Sequence, residues 1–243
     1  FLCQLNQEQL SKALFPIGHL EKSEVRKIAS EAGLSTAEKK DSQGLCFIGK
    51  VKLPEFLQQQ LKPKKGDIIE IDQEHPLFQA NKEFNKGNTS LEALQSLSQH
   101  YIYTPEVGEK VGQHNGAHYF TIGQRKGINV GGKVEPLFVI DTDTKNNTIY
   151  VGQGTNHKGL FRPALKVPNS DIHWVRDDLK LNTGETLDVK SRIRYRQPLE
   201  QATLHQKEDG LYIIFEHDQR GIAPGQFVAW YSDDELLGSG IIS

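Results

Sequence analysis

The chain has 243 residues, of which 36% are hydrophobic and 25% charged, with a formal net charge of -2 at pH 7. This length suits one large domain or two modest ones, and no apolar run approaches the roughly 20 residues that a membrane helix needs, so the composition indicates a soluble globular protein. Because the net charge is close to zero, the protein as a whole does not attract polyanions electrostatically. Any nucleic-acid contact must therefore come from local basic clusters.

The amino end, FLCQLNQEQL, has neither the basic segment nor the cleavage site of a signal peptide, so we expect a cytoplasmic protein. Cys3 and Cys46 are the only cysteines. They are too few for a disulfide scaffold and lack the C-x-x-C spacing of a metal site, so both are expected to be reduced thiols. The absence of methionine and the start at Phe1 suggest part of a longer protein.

Three short helices are predicted in the first quarter of the chain, where apolar residues recur at three- and four-residue intervals. They lie within residues 6–14, 20–32 and 54–61, and Gly33 suits the left-handed position after the second. Between the second and third helices the sequence AEKKDSQGLCFIG breaks the pattern. Its Asp, Ser and Gly residues favour a turn that places Cys46 at the edge between a loop and a strand.

At residues 66–72 the hydrophobic pattern changes to a period of two residues, which predicts that a run of β structure begins there. Asn146 and Asn147 tolerate positive φ between two apolar triplets, so they predict a hairpin. After a boundary near residues 159–163, five more strands in about 80 residues favour a small barrel or sandwich. These strands are predicted at residues 187–195, 201–205, 211–215, 227–231 and 236–242.

Residues 76–111 fit neither pattern, because they are polar, rich in Gln and Asn, and longer than an ordinary loop. We interpret them as a surface insertion that is dispensable for folding, with one short helix possible after Ser90. The predicted fold class is mainly β with short α-helices. A small central α+β domain occupies residues 1–160 in this prediction, and a C-terminal β-barrel follows at residues 161–243.

Cys46 is the best candidate nucleophile, because Gly44 would give its backbone mobility and Lys39 and Lys40 would make its surroundings electropositive. The alternative is a small buried hydrophobe, which free cysteines more often are, and the apolar residues on both sides of Cys46 favour it. Spacing alone leaves both interpretations open.

His114 and His118 are four residues apart, but Asn115-Gly116 between them indicates a turn and no third ligand follows a recognisable pattern. We therefore predict no metal site. The sequence GQRKG at residues 123–127 could bring backbone amides and two cations to a phosphate, or could be a glycine-rich connection. It lacks the spacing of a P-loop, so no ATP site is predicted from it.

The sequence KSRIRYR at residues 190–196 alternates in a way that would align basic side chains if it formed a strand. Four residues would then share one face: Lys190, Arg192, Arg194 and Arg196. With Tyr195 beside it, such a basic stripe suits phosphate contact and base stacking. A solvated outer face of a barrel is the alternative, and the pattern does not choose between them.

Six motifs occur along the chain in a specific order: FPIGHLEKSEVRKIASEAGL, AEKKDSQGLCFIG, TIGQRKG, VGQG, IRYRQ and IAPGQ. Together they resemble the bacterial tRNA-specific 2-thiouridylase family over nearly the whole chain except residues 76–111. The resemblance implies the central domain and the barrel of that family, without the amino-terminal domain that carries an SGGxDS phosphate loop. Nothing in the sequence resembles an S-adenosylmethionine site.

The resemblance implies transfer of sulfur to C2 of the wobble uridine, U34, in the tRNAs for Lys, Glu and Gln, after ATP-dependent adenylation of the C2 oxygen. ATP, with Mg, would bind the absent domain, so this chain is expected to hold no cofactor and to be inactive alone. The sulfur would come as a persulfide from a cysteine desulfurase or a relay protein. No membrane partner is implied.

Residue by residue, Cys46 matches the family's persulfide cysteine, Arg194 and Tyr195 match a tRNA-contacting pair, and Gln226 matches another tRNA contact. Cys3 matches no catalytic cysteine, and the nucleophilic cysteine that can form a disulfide with the persulfide cysteine lies outside this sequence. Two alternatives remain. One is a non-catalytic RNA-binding module, and the other is a redox sensor that pairs Cys3 with Cys46, although neither context fixes their proximity.

Overall fold

The computed structural model describes residues 2–39, 56, 61–78 and 88–243. Within these ranges the α-helices are α1 (Gln7–Ser11), α2 (Lys22–Glu31) and α3 (Leu91–Ser98). The strands are β1 (Gly66–Glu70), β2 (Glu109–His114), β3 (Leu137–Asp143), β4 (Thr148–Gln153), β5 (Phe161–Val167), β6 (Ile172–Trp174), β7 (Thr186–Arg192), β8 (Glu200–Lys207), β9 (Gly210–Arg220), β10 (Phe227–Ser232) and β11 (Glu235–Ile241). Single 3-10 turns lie at Pro76–Phe78, Pro105–Val107, Ala117–Tyr119, Lys158–Leu160, Asn169–Asp171 and Asp177–Leu179. The fold class is therefore mainly β with short helices, as predicted.

The described chain divides into two compact units, one of residues 6–63 and one of residues 1–5 and 64–243. In the smaller unit, Asn6 caps α1 by accepting a hydrogen bond of 2.8 Å from the Gln9 N–H, and Gln9 Oε1 accepts the Asn6 N–H in return. The predicted second helix is confirmed as α2, and Gly33 follows it with φ +67°. The predicted third helix lies almost entirely outside the described residues.

The larger unit begins with a four-stranded sheet in the order β2-β1-β4-β3, in which only β1 and β4 run parallel. Successive residues of a strand point to opposite faces, and Ile68 and Ile69 of β1 are buried in two separate apolar clusters. The sheet is therefore covered on both faces. The predicted β3–β4 hairpin is confirmed, with Asn147 at φ +55° in its turn.

Asn147 also ties this hairpin turn to the start of β1. Its Nδ2 donates to the carbonyl oxygens of Lys64 and Lys65 at 3.0 and 2.9 Å, and its Oδ1 accepts the Ala117 N–H at 3.0 Å. Glycine is required at position 66, because a Cβ there would lie 1.9 Å from the Asn147 carbonyl oxygen. A single buried amide thus fixes three chain segments against one another.

The second sheet has seven antiparallel strands in the order β5-β9-β8-β7-β10-β11-β6, so two consecutive strands, β5 and β6, stand at opposite edges. If the sheet were flat, these edges would be roughly 29 Å apart. The link from Val167 to Ile172 can span only about 18 Å. The sheet must therefore curl so that its edges approach each other, and both the N–H and Oγ of Ser243, just after β11, donate to the carbonyl oxygen of Lys166 in β5.

The curled sheet encloses an apolar core that includes Trp230, Phe215 and Leu204, all nearly inaccessible to solvent. Trp174 meets Trp230 edge to face, with ring centroids 5.4 Å apart. This half-barrel bears out the predicted C-terminal barrel. Among the described helices, none is both long enough and apolar enough to cross a membrane.

The interpretation of residues 76–111 as a surface excursion is wrong for the part of that segment that the structure describes. Leu94 and Leu97 of α3 are buried against Tyr212 and Ile214 on the outer face of the barrel sheet. The predicted helix after Ser90 is confirmed, and the structure shows that Ser90 caps it, with its Oγ accepting the N–H of Ala93. The apolar repeat in α3 is only two turns long, so its burial was not evident from the sequence.

A buried arginine lies where the two sheets of the larger unit meet. Arg162 of β5 donates to the carbonyl oxygens of Ser98 and Ile222, each at 3.2 Å, and is 5% exposed. Burial lowers the pKa of Arg162 to about 10, so the guanidinium remains protonated at neutral pH. Burial also raises the pKa of the neighbouring Asp141 carboxyl.

Asp209 joins α3 to the barrel, because it accepts hydrogen bonds from Lys166 Nζ, Gln95 Nε2 and Tyr212 Oη at 2.6, 3.0 and 2.8 Å. Burial raises the pKa of Asp209, but these three donors outweigh it and hold the pKa at about 2. The pKa is thus lower in the folded chain than the value of about 3.9 in the unfolded chain. The hydrogen bonds to ionised Asp209 therefore stabilise the fold fully when the pH is above the unfolded-state pKa. This stabilisation is lost as the pH falls through the folded-state pKa.

We therefore predict that Asp209→Asn lowers the free energy of unfolding at neutral pH, and that the difference from the native chain shrinks towards zero as the pH approaches about 2. Urea denaturation across this pH range measures it. Asp233→Asn is the matched control, because the Asp233 carboxylate is 89% exposed beside Lys190 and should contribute little. If the loss of unfolding free energy in Asp209→Asn stayed constant over the whole pH range, the lowered pKa of Asp209 would be contradicted.

Candidate functional site

Cys46, the predicted persulfide cysteine, lies outside the described residues, as do Lys40 and Gly44. Its position at a loop edge and its role therefore stay predictions. Cys3 is described and is a free cysteine of intermediate exposure. Its main chain is attached to the barrel, because Ser239 Oγ donates to the Cys3 carbonyl oxygen at 2.7 Å.

The basic segment at residues 190–196 does not form the continuous strand face that its alternation suggested. Strand β7 ends at Arg192, and a turn follows. Lys190 Nζ is paired with Asp233 at 3.1 Å, and Arg194 Nη2 donates to the carbonyl oxygen of Gly221 at 3.1 Å. The continuous strand face that would have aligned all four cations does not form, because the strand ends before Arg194 and Arg196.

The turn that carries Arg194 and Tyr195 is fixed by Gln197. The Gln197 Oε1 accepts the Ile193 N–H at 3.3 Å, and the Gln197 N–H donates to the Arg194 carbonyl oxygen at 3.1 Å. Gln197 Nε2 donates in turn to Gln219 Oε1 of β9. The turn is therefore attached to a buried position of the barrel while the Tyr195 side chain stays 74% exposed.

Arg192 connects this turn to strand β10. Its Nη2 donates to Tyr231 Oη at 3.1 Å, its Nη1 donates to the Tyr195 carbonyl oxygen at 3.2 Å, and its guanidinium carbon lies 4.9 Å from the centre of the Tyr231 ring. The guanidinium thus holds the Tyr231 side chain and the main chain at Tyr195. Sequence reasoning singled out Arg192 only as part of the stripe and missed Tyr231 altogether.

Gln226 belongs to the turn between β9 and β10, where Gly221 and Gly225 adopt φ values of +74° and +79°. The turn is held to the end of β11, since the Ile242 N–H donates to the Gln226 carbonyl oxygen at 2.9 Å. Gln226 Oε1 is shielded from solvent and has no hydrogen-bond partner among the described atoms. An acceptor in that condition is costly unless a ligand supplies a donor.

These segments surround one concavity of about 490 Å³. It brings together the three predicted RNA-contacting residues, Arg194, Tyr195 and Gln226. The rest of its lining is Cys3, Arg192, Ile193, Gly225, Phe227, Ala229 and Tyr231. The alternation of β10 carried the missing signal, because Phe227, Ala229 and Tyr231 face this concavity while Val228 and Trp230 face the core.

The two spaced histidines show no metal-binding arrangement. His114 Nδ1 accepts the Gly116 N–H at 2.9 Å, and burial lowers the pKa of His114. His118 lies in a 3-10 turn against the ring of Tyr119. Within the described ranges, no three residues of the His, Cys, Asp and Glu types are grouped so as to hold a metal ion.

Three family models match the chain. Residues 1–50 match the model described as the tRNA methyl transferase HUP domain, residues 90–153 match the tRNA methyl transferase PRC-barrel domain, and residues 166–242 match the aminomethyltransferase beta-barrel domain. The HUP match covers residues that the sequence interpretation assigned to the central domain.

Curated relatives match along the whole chain. The tRNA-specific 2-thiouridylase MnmA of Flavobacterium johnsoniae is 61% identical over 243 residues, and that of Christiangramia forsetii is 58% identical. The enzyme of the same name from Karelsulcia muelleri is 44% identical. In each comparison all of this chain is aligned, and it spans 60 to 61% of the length of the relative.

The unpartnered Gln226 oxygen leads to a prediction about stability. Replacing Gln226 with Leu removes no side-chain hydrogen bond to any residue that the structure describes, so the free energy of unfolding should stay within about 0.5 kcal/mol of the native value or rise. Gln219→Leu is the matched control. It removes the bonds to Gln197 and to the His217 carbonyl oxygen and should cost about 1 to 3 kcal/mol. Equal losses in urea denaturation would show that Gln226 has an internal partner.

Proposed function

This chain belongs to the tRNA-specific 2-thiouridylase family, and we propose that it provides the RNA-contacting barrel and the sulfur-carrying cysteine of such an enzyme. The proposed reaction replaces the C2 oxygen of U34 with sulfur in the tRNAs for Lys, Glu and Gln. The observation that supports the RNA-binding part is the shared concavity of Arg194, Tyr195 and Gln226. Since tRNA is the substrate, the enzyme would act in the cytoplasm.

The chemistry of the concavity suits RNA. Tyr195 offers an exposed ring on which a base can stack, and such stacking contributes about 1 to 3 kcal/mol per base. Arg194 makes no ion pair with a carboxylate of the described residues, so its remaining N–H groups are available to a phosphate. Gln226 lines the same concavity, and its amide would hydrogen-bond a base or a 2′-hydroxyl.

We propose that Cys46 carries the sulfur as a persulfide, received from a cysteine desulfurase or a relay protein. Its terminal sulfur would form the bond to C2 of the uridine as the C2 oxygen departs, and a second cysteine would then release the thiolated base by forming a disulfide with Cys46. ATP, with Mg, would make that oxygen a better leaving group. The 243 residues contain neither an SGGxDS sequence nor a P-loop, so no step is assigned to ATP in this chain and we expect it to be inactive alone.

The barrel contacts can be tested by measuring affinity for tRNA-Glu as a function of salt. Arg194→Ala should lower the slope of log affinity against log salt by about one, because one phosphate contact is lost. Tyr195→Ala should weaken binding at every salt concentration, because stacking is not screened. Lys180→Ala, an exposed barrel cation outside the concavity, is the matched control and should change little. Native affinity for both site variants would reject this surface.

The sulfur carrier can be tested by incubating the chain with a cysteine desulfurase and cysteine, followed by peptide mass spectrometry. We expect an adduct of one sulfur atom on Cys46 that a reductant removes. Cys46→Ser should abolish the adduct and, when introduced into the longer enzyme, donor-dependent thiolation. Cys3→Ser should leave both intact. An adduct confined to Cys3, or full thiolation by Cys46→Ser, would overturn the role of Cys46.

A further inference from the structure

The glycine-rich loop, defined as residues 123–134, is a feature that the proposed function does not use. Its base is fixed to β3 by two main-chain bonds, Gly123 N–H to the Val139 carbonyl oxygen at 2.7 Å and Val139 N–H to the Gln124 carbonyl oxygen at 2.9 Å. Gln124 Nε2 also donates to the Lys126 carbonyl oxygen at 2.7 Å. The loop is therefore held in place at its root although it lies on the surface.

The loop carries two cations without acidic partners. Arg125 and Lys126 are exposed, and neither forms an ion pair with a carboxylate of the described residues. Lys133 in the same loop differs, because its ammonium is paired with Glu70. The positive charge of the loop is therefore concentrated at its first two cations.

The main chain of the loop offers hydrogen-bond donors. Gly127, Asn129 and Gly132 adopt left-handed φ values of +93°, +54° and +76°. From residue 125 to residue 134, no main-chain N–H donates to another group that the structure describes. Left-handed residues in a turn can direct successive N–H groups into one concavity, and such concavities bind anions. The loop lines an open concavity of about 330 Å³ together with residues 135–137.

Two arginines of the barrel lie near the root of the loop. A Cβ placed on Gly123 would lie 3.5 Å from Arg220 Nη1, so the root of the loop is beside that guanidinium. Burial lowers the pKa of Arg220, and the nearby charge of Arg194 lowers it further. The two arginines are therefore close enough to repel each other, and neither has a carboxylate partner among the described residues. A bound polyanion would relieve this repulsion.

We propose that the glycine-rich loop is a second phosphate-binding site, which takes the phosphodiester backbone of the same RNA that occupies the barrel concavity. The inference rests on the proposed function. Arg125, Lys126 and the free N–H groups of the loop bind one segment of the RNA backbone, and Arg194 binds the next segment. Arg220 contacts the RNA backbone between these two segments. RNA fits this surface because its backbone presents a chain of phosphates to successive cations.

The test is tRNA-Glu binding by the 243-residue chain carrying Arg125→Ala and Lys126→Ala together. Affinity should fall roughly tenfold at low salt, and the slope of log affinity against log salt should fall by about two. The melting temperature should not change, because both side chains are exposed and unpaired. Lys145→Ala with Lys180→Ala removes two exposed cations elsewhere and should leave the affinity and the slope near their native values.

Backbone footprinting of the RNA locates the contact. The loop variant should lose protection at a patch of phosphates different from the patch lost with Arg194→Ala. If the loop variant binds like the native chain while Arg194→Ala and Tyr195→Ala are impaired, the second site is wrong and the proposed function stands. If all of these variants bind like the native chain, both are wrong. Loss of the same patch in both variants would also reject a separate site.

Discussion

The short link between β5 and β6 is the constraint that determines the shape of the seven-stranded sheet. Because these strands stand at opposite edges of a seven-stranded sheet, the four residues between them force the sheet to curl. Strands β7 and β9 both run antiparallel to β8, so the turn after β7 and the turn after β9 lie at the same end of the sheet, where Arg194 meets Gly221. The candidate RNA surface is a consequence of strand order, since neither turn forms a concavity alone.

Buried polar groups then fix how the surrounding segments meet. Arg162 joins the carbonyl end of α3 to the turn that follows β9, and Asn147 joins the β3–β4 turn to β1. Each satisfies main-chain groups that would otherwise be buried without partners. Directional bonds of this kind specify one arrangement of the sheets, whereas apolar clusters alone would tolerate several.

The sequence predicted elements whose signals are local and missed those that depend on register. The helix after Ser90, strand β10 and the hairpin at Asn147 were predicted. Strand β5 was not, because Pro163 interrupts its pattern at a register shift in the pairing with β9. The Arg192–Tyr231 contact depends on the pairing of β7 with β10. Arg194, Tyr195 and Gln226 came from motif resemblance, since spacing alone left the basic segment undecided.

The Gln197–Gln219 bridge has a kinetic consequence. A turn that is already held in its final shape would lose little conformational entropy on binding RNA as proposed, so encounter would be governed by diffusion and charge. Discrimination between cognate and non-cognate RNA would then lie in how long each remains bound. The proposed sulfur carrier would be served by such a surface, because a non-cognate RNA would leave before the carrier is spent.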